Sequence, residues 1–259
     1  MIDLKNSGLD LAFDEKNLKL ISKSKTLKLP KPGIRTLKQA KKFLMDEKST
    51  AENNDQNIYY MYRDVCANGD KEKLAKYNLR YDITVIPPNK IGREFIKTVG
   101  HYHPFLKNEK VTYPEVYEVL HGTAHYLLQK IDMKGKVIDV KVIIANKNDK
   151  VLIPPNYGHV TINAGKEPLI MTNLVELNFS SEYGDYKKKH GAIYYGLDVD
   201  GQIKFVENPK YKEHPKLKVI KVREMSSFGL LKEMPLYVSA IKFPDKFEYL
   251  TKPQFCFKE

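Results

Sequence analysis

Cysteine is almost absent from this chain: Cys66 and Cys256 are the only two, they stand 190 positions apart, and neither belongs to a CxxC pair. That scarcity excludes a disulfide framework and a thiolate metal site. Also missing is any apolar run near the roughly 20 residues that a membrane-spanning helix needs, so no membrane partner is expected. The opening Met1-Ile2-Asp3-Leu4-Lys5 lacks the basic segment, apolar stretch and small-residue cleavage site of a secretory signal, so a cytoplasmic location with free thiols is expected. There is no internal repeat and no low-complexity tract. With 42% hydrophobic residues and only 14 glycines in 259 positions, the chain fits an ordinary globular protein with a sizeable core. Acidic residues are outnumbered 32 to 44 by basic ones, for a formal charge of +12. A nucleic-acid partner would call for basic residues gathered on one face. Here they are mostly lysines spread through the chain and concentrated towards its ends, as in Lys38, Lys41 and Lys42 and in Lys187-Lys188-Lys189. No nucleic-acid partner is expected, and the positive field instead suits a small anionic substrate such as a sugar phosphate.

What is abundant is short alternating segments rich in Tyr, Val and Ile, running from Ile58 to Asn178 with turn residues between them. Candidate strands are Ile58 to Arg63, Leu79 to Ile86, Arg93 to Thr98, Glu115 to His121, Ala124 to Ile131, Val137 to Ile144, Lys150 to Ile153, His159 to Asn163 and Leu169 to Leu177. Many short strands at this spacing predict a sandwich or barrel. Met133-Lys134-Gly135-Lys136, Asn146 to Asp149 and Asp198-Val199-Asp200-Gly201 supply the turns, the last of them closing a further hairpin. Residues 1–57 read as a polar N-terminal arm in which Thr36 caps a short helix with Leu37, Ala40, Phe43 and Leu44 on one face. Residues 58–209 form the expected barrel. In residues 210–259 apolar clusters around Phe228 to Leu231, Leu236 to Ile241 and Phe247 to Leu250 need burial, on the barrel or on a second subunit.

The chemistry is concentrated in Gly100-His101-Tyr102-His103, in Glu115, and in His159 within Pro154-Pro155-Asn156-Tyr157-Gly158-His159-Val160-Thr161-Ile162-Asn163. Side chains alternate along a strand, so His101 and His103 point one way and Tyr102 the other. Two imidazoles thus begin a chelate, Glu115 adds a carboxylate from the next strand, and His159 adds a third imidazole. Nitrogen and oxygen donors without thiolates favour Fe(II), Mn(II), Zn(II) or Ni(II), and four protein ligands leave positions open on a six-coordinate ion. The alternative, three ordinary barrel histidines, is set aside because independent histidines would not arrive with Glu115, Gly122 and Asn163 at these spacings.

Two histidines one residue apart, a later glutamate, and a third histidine four residues before an asparagine resemble the two motifs of the cupin superfamily. In the usual cupin the glutamate follows the second histidine closely, whereas here twelve positions separate His103 from Glu115. Together with that gap, Gly92-Arg93-Glu94, Thr98-Val99-Gly100-His101-Tyr102-His103, Glu115-Val116-Tyr117 and Pro154-Pro155 leading to His159 closely resemble the cupin-type, archaeal-style phosphoglucose isomerases. The resemblance covers residues 58 to 200. It implies a mainly β fold, a jelly-roll-like double-stranded β-helix (cupin) barrel with helical and irregular extensions at both ends. It implies a glucose-6-phosphate isomerase of glycolysis and gluconeogenesis, a homodimer with one divalent metal per subunit, Fe(II) first.

Carried over residue by residue, the resemblance gives His101, His103, Glu115 and His159 as metal ligands and Tyr117 as the substrate-side tyrosine. Thr84, Thr98, Gly100, Tyr59 and Tyr183 match the positions that hold the substrate phosphate. A family histidine is replaced by serine near Ser180-Ser181-Glu182-Tyr183, with His190 or one of Lys187 to Lys189 as substitutes for phosphate binding. Asn156 replaces the glycine usual in the second motif, and asparagine tolerates the left-handed conformation such a turn requires. Glu115 is the candidate base for a cis-enediol proton transfer; as a pure ligand it would leave the reaction to a metal-assisted hydride shift. A cupin iron oxygenase and a non-catalytic sugar-phosphate-binding cupin are the rival functions.

Overall fold

Residues 79–86, Leu-Arg-Tyr-Asp-Ile-Thr-Val-Ile, are buried along almost their whole length, on both faces of the strand they form. A strand covered on both sides needs a layer above it and a layer below, and that requirement organises the molecule. The computed structural model describes residues 1–45, 55–132, 134–178 and 180–257; Met133 of one expected turn and residues 46–54 of the expected arm lie outside them. In chain order the strands are β1 (Ile2–Asp3), β2 (Leu11–Asp14), β3 (Lys19–Ser22), β4 (Gly33–Thr36), β5 (Asn57–Tyr62), β6 (Leu79–Ile86), β7 (Lys90–Ile91), β8 (Glu94–Phe95), β9 (Glu115–His121), β10 (Thr123–Ile131), β11 (Val137–Asn146), β12 (Lys150–Ile153), β13 (Tyr157–Ile162), β14 (Leu169–Glu176), β15 (Tyr194–Val199), β16 (Gln202–Glu207) and β17 (Lys218–Lys221). The helices are short: α1 (Leu37–Ala40), α2 (Lys71–Lys76), α3 (Gly184–Lys188), α4 (Leu236–Lys242) and α5 (Pro253–Cys256).

Six strands form the principal sheet in the order β12-β9-β14-β6-β5-β4, every neighbouring pair antiparallel. A four-stranded sheet, β13-β10-β11-β17, packs against its inner face, so that Tyr126, Leu128 and Val160 share one core with Tyr117, Val119 and Met171. Alternation sends the other residues of the same strands, Tyr81, Ile83, Val116, Leu120, Ile170 and Leu174, into a second core on the outer face. That outer core is closed by both chain ends: Leu11 and Phe13 from the small sheet β1-β2-β3, and Leu236, Ala240, Phe247 and Leu250 from the C-terminal segment. The C-terminal segment is also pinned by polar bonds. Glu118, buried beside Lys150 at 2.8 Å, accepts from Leu236 N at 2.7 Å, and the Tyr237 hydroxyl donates to Asp70 at 2.7 Å.

The fold is mainly β, and strands 79–86, 115–121 and 150–153 have the bounds their alternation predicts. The Asp198 to Gly201 hairpin joins β15 to β16. Thr36 caps α1 as expected, in a reciprocal capping box with Gln39. Residues 1–57, read as an arm with one helix, also contain β1 to β4, and β4 extends the principal sheet. The expected strand Arg93 to Thr98 is regular only at Glu94–Phe95, because Lys97 turns back to form a buried ion pair with Glu94 and makes an isolated bridge to Ile162. Asn163, read as a strand end, closes the following turn instead, its amide donating to Ile86 O at 2.8 Å and Glu167 O at 2.9 Å.

Candidate metal centre

His101 and His159 exchange backbone hydrogen bonds, His101 N to His159 O at 3.3 Å and His159 N to His101 O at 3.1 Å, which forces both side chains to one side. Their rings lie 4.6 Å apart, and the ring of His103, two residues on, is 5.2 Å from that of His101. Tyr102 turns the other way, as the alternation predicts. Its hydroxyl accepts from Gln129 at 2.8 Å, and its ring occupies the space where a Cβ on Gly158 would stand, 2.6 Å away. Glu115, the first residue of β9, brings Oε2 to 3.3 Å from both His103 Nε2 and His159 Nε2. One donor atom from each of His101, His103, Glu115 and His159 lies within 4.8 Å of all the others.

This donor set fits a first-row divalent ion. Such an ion bonds imidazole nitrogen and carboxylate oxygen at about 2.0–2.2 Å, so donors around it stand roughly 3–4.4 Å apart, close to the spacing here. His103 Nδ1 is 2.7 Å from Tyr113 O, and a carbonyl can only accept. The proton therefore sits on Nδ1, leaving the Nε2 lone pair aimed into the cluster, the tautomer a metal requires. Burial, with the neighbouring His159 and His103 adding to it, holds the His101 imidazole well below its ordinary value; burial also lowers His159, against the pull of Glu115. At Glu115 burial pushes the carboxyl up, and the neighbouring His103 and His159 more than reverse this, holding it well below its ordinary value. A buried carboxylate beside His101 and His159, whose charged forms burial opposes, makes a site that a cation completes.

The cluster forms one side of a cavity of about 390 Å³. His101, Glu115 and Tyr117 line it, together with Tyr59, Thr84, Thr98, Tyr183 and Ser181. Tyr117 lies on the Glu115 face of β9 with its hydroxyl 3.1 Å from His159 Nε2, and burial and the Glu115 charge push its phenol well up, so it stays neutral. Thr98 and Tyr59 are engaged with the backbone: Thr98 Oγ1 accepts from Thr161 N at 2.9 Å, and Tyr59 OH accepts from Val99 N at 3.3 Å and from Arg35 at 3.2 Å. Gly100 is not in the wall; its α-carbon lies against Tyr186 and Val160. Lys187 to Lys189 and His190 are also outside the wall, with Lys189 donating to Lys210 O and lying over the Tyr211 ring. Asn156 does adopt the left-handed conformation, at φ 67°, and its side chain and backbone bond Thr112 at 3.0 and 2.7 Å.

Sequence reasoning missed Arg63, Arg80, Asp82 and Asn173 in the wall. The signal was available, because Arg80 and Asp82 continue the period of two that starts at Thr84 on β6. Burial pushes the Asp82 carboxyl up, although Arg80 and Arg63 oppose it.

Residues 34–214 match the family model described as glucose-6-phosphate isomerase (GPI). The chain belongs to the glucose-6-phosphate isomerase family. Membership makes it an enzyme of the aldose–ketose isomerase class, built on a cupin barrel. It is 31% identical over 186 residues to a glucose-6-phosphate isomerase from Pyrococcus furiosus, a match spanning 71% of this chain and 89% of that relative. The corresponding enzyme from Thermococcus onnurineus is 30% identical over 181 residues, with 69% and 87% covered. Among solved structures, oxalate decarboxylase from Bacillus subtilis aligns with 48% of this chain and 28% of its own, at 15% identity and a TM-score of 0.33.

Proposed function

We propose that this protein is a metal-dependent glucose-6-phosphate isomerase, interconverting glucose 6-phosphate and fructose 6-phosphate with one divalent ion per subunit, Fe(II) first and Mn(II), Zn(II) or Ni(II) next. The observation that carries the proposal is the convergence of His101, His103, Glu115 and His159 beside a cavity of hexose-phosphate size, in a chain of this family. An ion bound there would supply Lewis-acid polarisation of a sugar carbonyl. Glu115, held ionised, takes the proton from C2 and returns it to C1 on one face of a cis-enediol. Tyr117, a neutral phenol beside it, is the hydroxyl donor to the sugar oxygens. Tyr59, Thr84, Thr98 and Tyr183 line the remainder of the substrate chamber, and Gly100 serves it indirectly by admitting Tyr186 behind the ligand strand.

Anaerobic turnover of fructose 6-phosphate by stripped protein reloaded with each metal tests the proposal. Metal-dependent formation of glucose 6-phosphate is expected; absence of turnover with every metal would overturn it, and dioxygen consumption would indicate an oxygenase instead. Running the reaction in deuterated water separates the routes, since the proton route brings solvent deuterium into the product and a hydride shift does not.

The barrel of 58–209 is assigned this chemistry, with 1–57 adding β4 and 210–259 adding β17 to the edges of its sheets. We also assign a homodimer, supported by the exposed apolar side chains of Ile138, Ile144, Val219 and Ile220 on β11 and β17. A monomer in sedimentation would refute it. Free Cys66 and Cys256 support a cytoplasmic setting in glycolysis and gluconeogenesis, which cell fractionation tests.

A further inference from the structure

Along β14 the side chains turned to the inner face are Leu169, Met171, Asn173 and Val175, a single amide in an apolar row. Asn173 is buried and lines the cavity, and its side chain makes no hydrogen bond among the described residues. A carboxamide carries two donors and two acceptor sites, and one enclosed in a sheet without a protein partner is costly unless something in the cavity meets it. Its polar neighbours are already engaged. Tyr117, directly opposite on β9, has its hydroxyl 3.1 Å from His159 Nε2. Asp82, directly opposite on β6, accepts from Arg80 Nε at 3.0 and 3.1 Å, from Arg63 Nη1 at 3.2 Å and from Asp64 N at 2.9 Å.

Where this amide stands follows from strand register. Glu115 is two residues before Tyr117 on β9, and Thr84 is two residues after Asp82 on β6, each on the inner face. Asn173 is therefore the diagonal neighbour of Glu115 on one side and of Thr84 on the other, at about 7–8 Å in each direction. Met61 lies opposite Thr84 on β5, and Tyr59 continues the same diagonal. A molecule that reaches from the metal-ligating carboxylate to Thr84 and Tyr59 passes over Asn173. On the isomerase reading that molecule is an open-chain hexose phosphate, with C1 and C2 at the metal and the phosphate on the Thr84 side. The segment over Asn173 is then its hydroxylated middle, C3 and C4. A hydroxyl donates and accepts, as a carboxamide does, whereas an aliphatic segment would leave the amide unmet.

We propose that Asn173 is a specificity-determining residue of the isomerisation, whose amide binds the hydroxyls on C3 and C4 of the open-chain sugar between the metal centre and the phosphate. The assignment deepens the isomerase reading and rests on it for the placement of the two ends of the ligand. Binding of a polyol chain over β14 is independent of turnover.

The test takes Asn173→Ala and Asn173→Leu through steady-state kinetics with fructose 6-phosphate and its 3-deoxy and 4-deoxy analogues. Calorimetric titration of the metal-loaded protein adds inorganic phosphate and glucitol 6-phosphate, a polyol with no carbonyl to isomerise. Both variants should lower kcat/KM for fructose 6-phosphate about tenfold, mainly through KM, and weaken glucitol 6-phosphate to the same extent, with inorganic phosphate bound as in wild type. Against at least one deoxy analogue the loss should shrink to under about twofold, because the partner hydroxyl is already gone. Asn173→Leu should keep Tm or raise it, since it replaces an unpaired amide by an apolar side chain of similar size beside Met171 and Val175. Asn173→Ala only removes atoms, so it reports even where Asn173→Leu fails to fold. Equal losses on all three sugars, or unchanged affinity for glucitol 6-phosphate in a folded variant, overturns the assignment. If glucitol 6-phosphate binds through Asn173 yet fructose 6-phosphate is never turned over, the hydroxyl contact stands and the isomerase reading falls.

Discussion

Replacing Gly100 by alanine should damage the metal centre from behind. A Cβ at this position would lie 2.0 and 2.1 Å from Cδ1 and Cε1 of Tyr186 and 2.7 Å from Val160 Cγ1. Carbon atoms rest at about 3.5–4.0 Å, so the ring must retreat by about 1.5 Å. It has nowhere to go: Tyr186 and Val160 are both fully buried, Tyr186 packs on the Tyr102 ring at 5.3 Å, and Gly191 N ties its backbone at 2.8 Å. Overpacking of this kind costs about 1–3 kcal/mol, and a rigid ring without a flexible end puts Gly100→Ala near the top of that range. At roughly 2–4 °C per kcal/mol for a domain of this size, Tm should fall by about 5–10 °C. The strain is adjacent to His101, so affinity for the divalent ion should fall as well. Thermal melts of stripped and reloaded protein, with a metal titration, measure both effects. Gly184→Ala is the control, because its Cβ meets nothing within 4 Å, and it should stay within about 0.5 kcal/mol of wild type. A Gly100→Ala protein with unchanged Tm and metal affinity would refute the packing argument.

Glu115→Ala should abolish turnover, because it removes both a ligand and the base, and wild-type rates in a metal-loaded variant would sink that role. His159→Ala should lose the metal while its far-ultraviolet circular dichroism and cooperative unfolding persist, since the barrel core is apolar and independent of the ion; unfolding on metal removal would contradict this. Glu118→Gln breaks the buried pair with Lys150 and weakens the Leu236 anchor, so it should cost about 3–5 kcal/mol in denaturant unfolding, and a loss below about 1 kcal/mol would count against that anchor. Asp139 is lifted by burial but held far lower by Lys218, Tyr157 and Lys141, so its contribution is present above the ordinary carboxylate value of 3.8 and lost as pH falls through its depressed value. Asp139→Asn should therefore destabilise the protein by about 1–2 kcal/mol at neutral pH and progressively less in acid, with a pH-independent difference refuting the assignment.

Strands β5, β6 and β9 to β14 were legible because each shows its period over a long enough stretch, and β6, β9 and β12 end where the pattern ends; β7 and β17 were not legible as strands, and β8 is the short regular part of the expected Arg93 to Thr98. Strands β1 to β4 were not legible either, since they are only two to four residues long; β1 to β3 are ordered by the outer core they cover and β4 by its pairing with β5. The burial of Leu236 and Phe247 was foreseeable, but the choice between barrel and partner was not, because it depends on the outer face of β6, β9 and β14, far away in sequence. The period of two puts Arg80 and Asp82 on the face of Thr84 and Arg63 on that of Tyr59, but nothing local marks those charges as facing a cavity.

By itself the sequence determined the donor types, the common direction of His101 and His103, and the opposite direction of Tyr102, because side-chain direction along an extended chain is a local consequence of backbone pleat. The tertiary structure alone decided that His159 exchanges backbone bonds with His101, that Glu115 Oε2 sits equally near two imidazoles, and that two arginines share one carboxylate across the cavity. Those relations join strands distant in the chain, and which strands become neighbours is settled by closing two cores around one sheet.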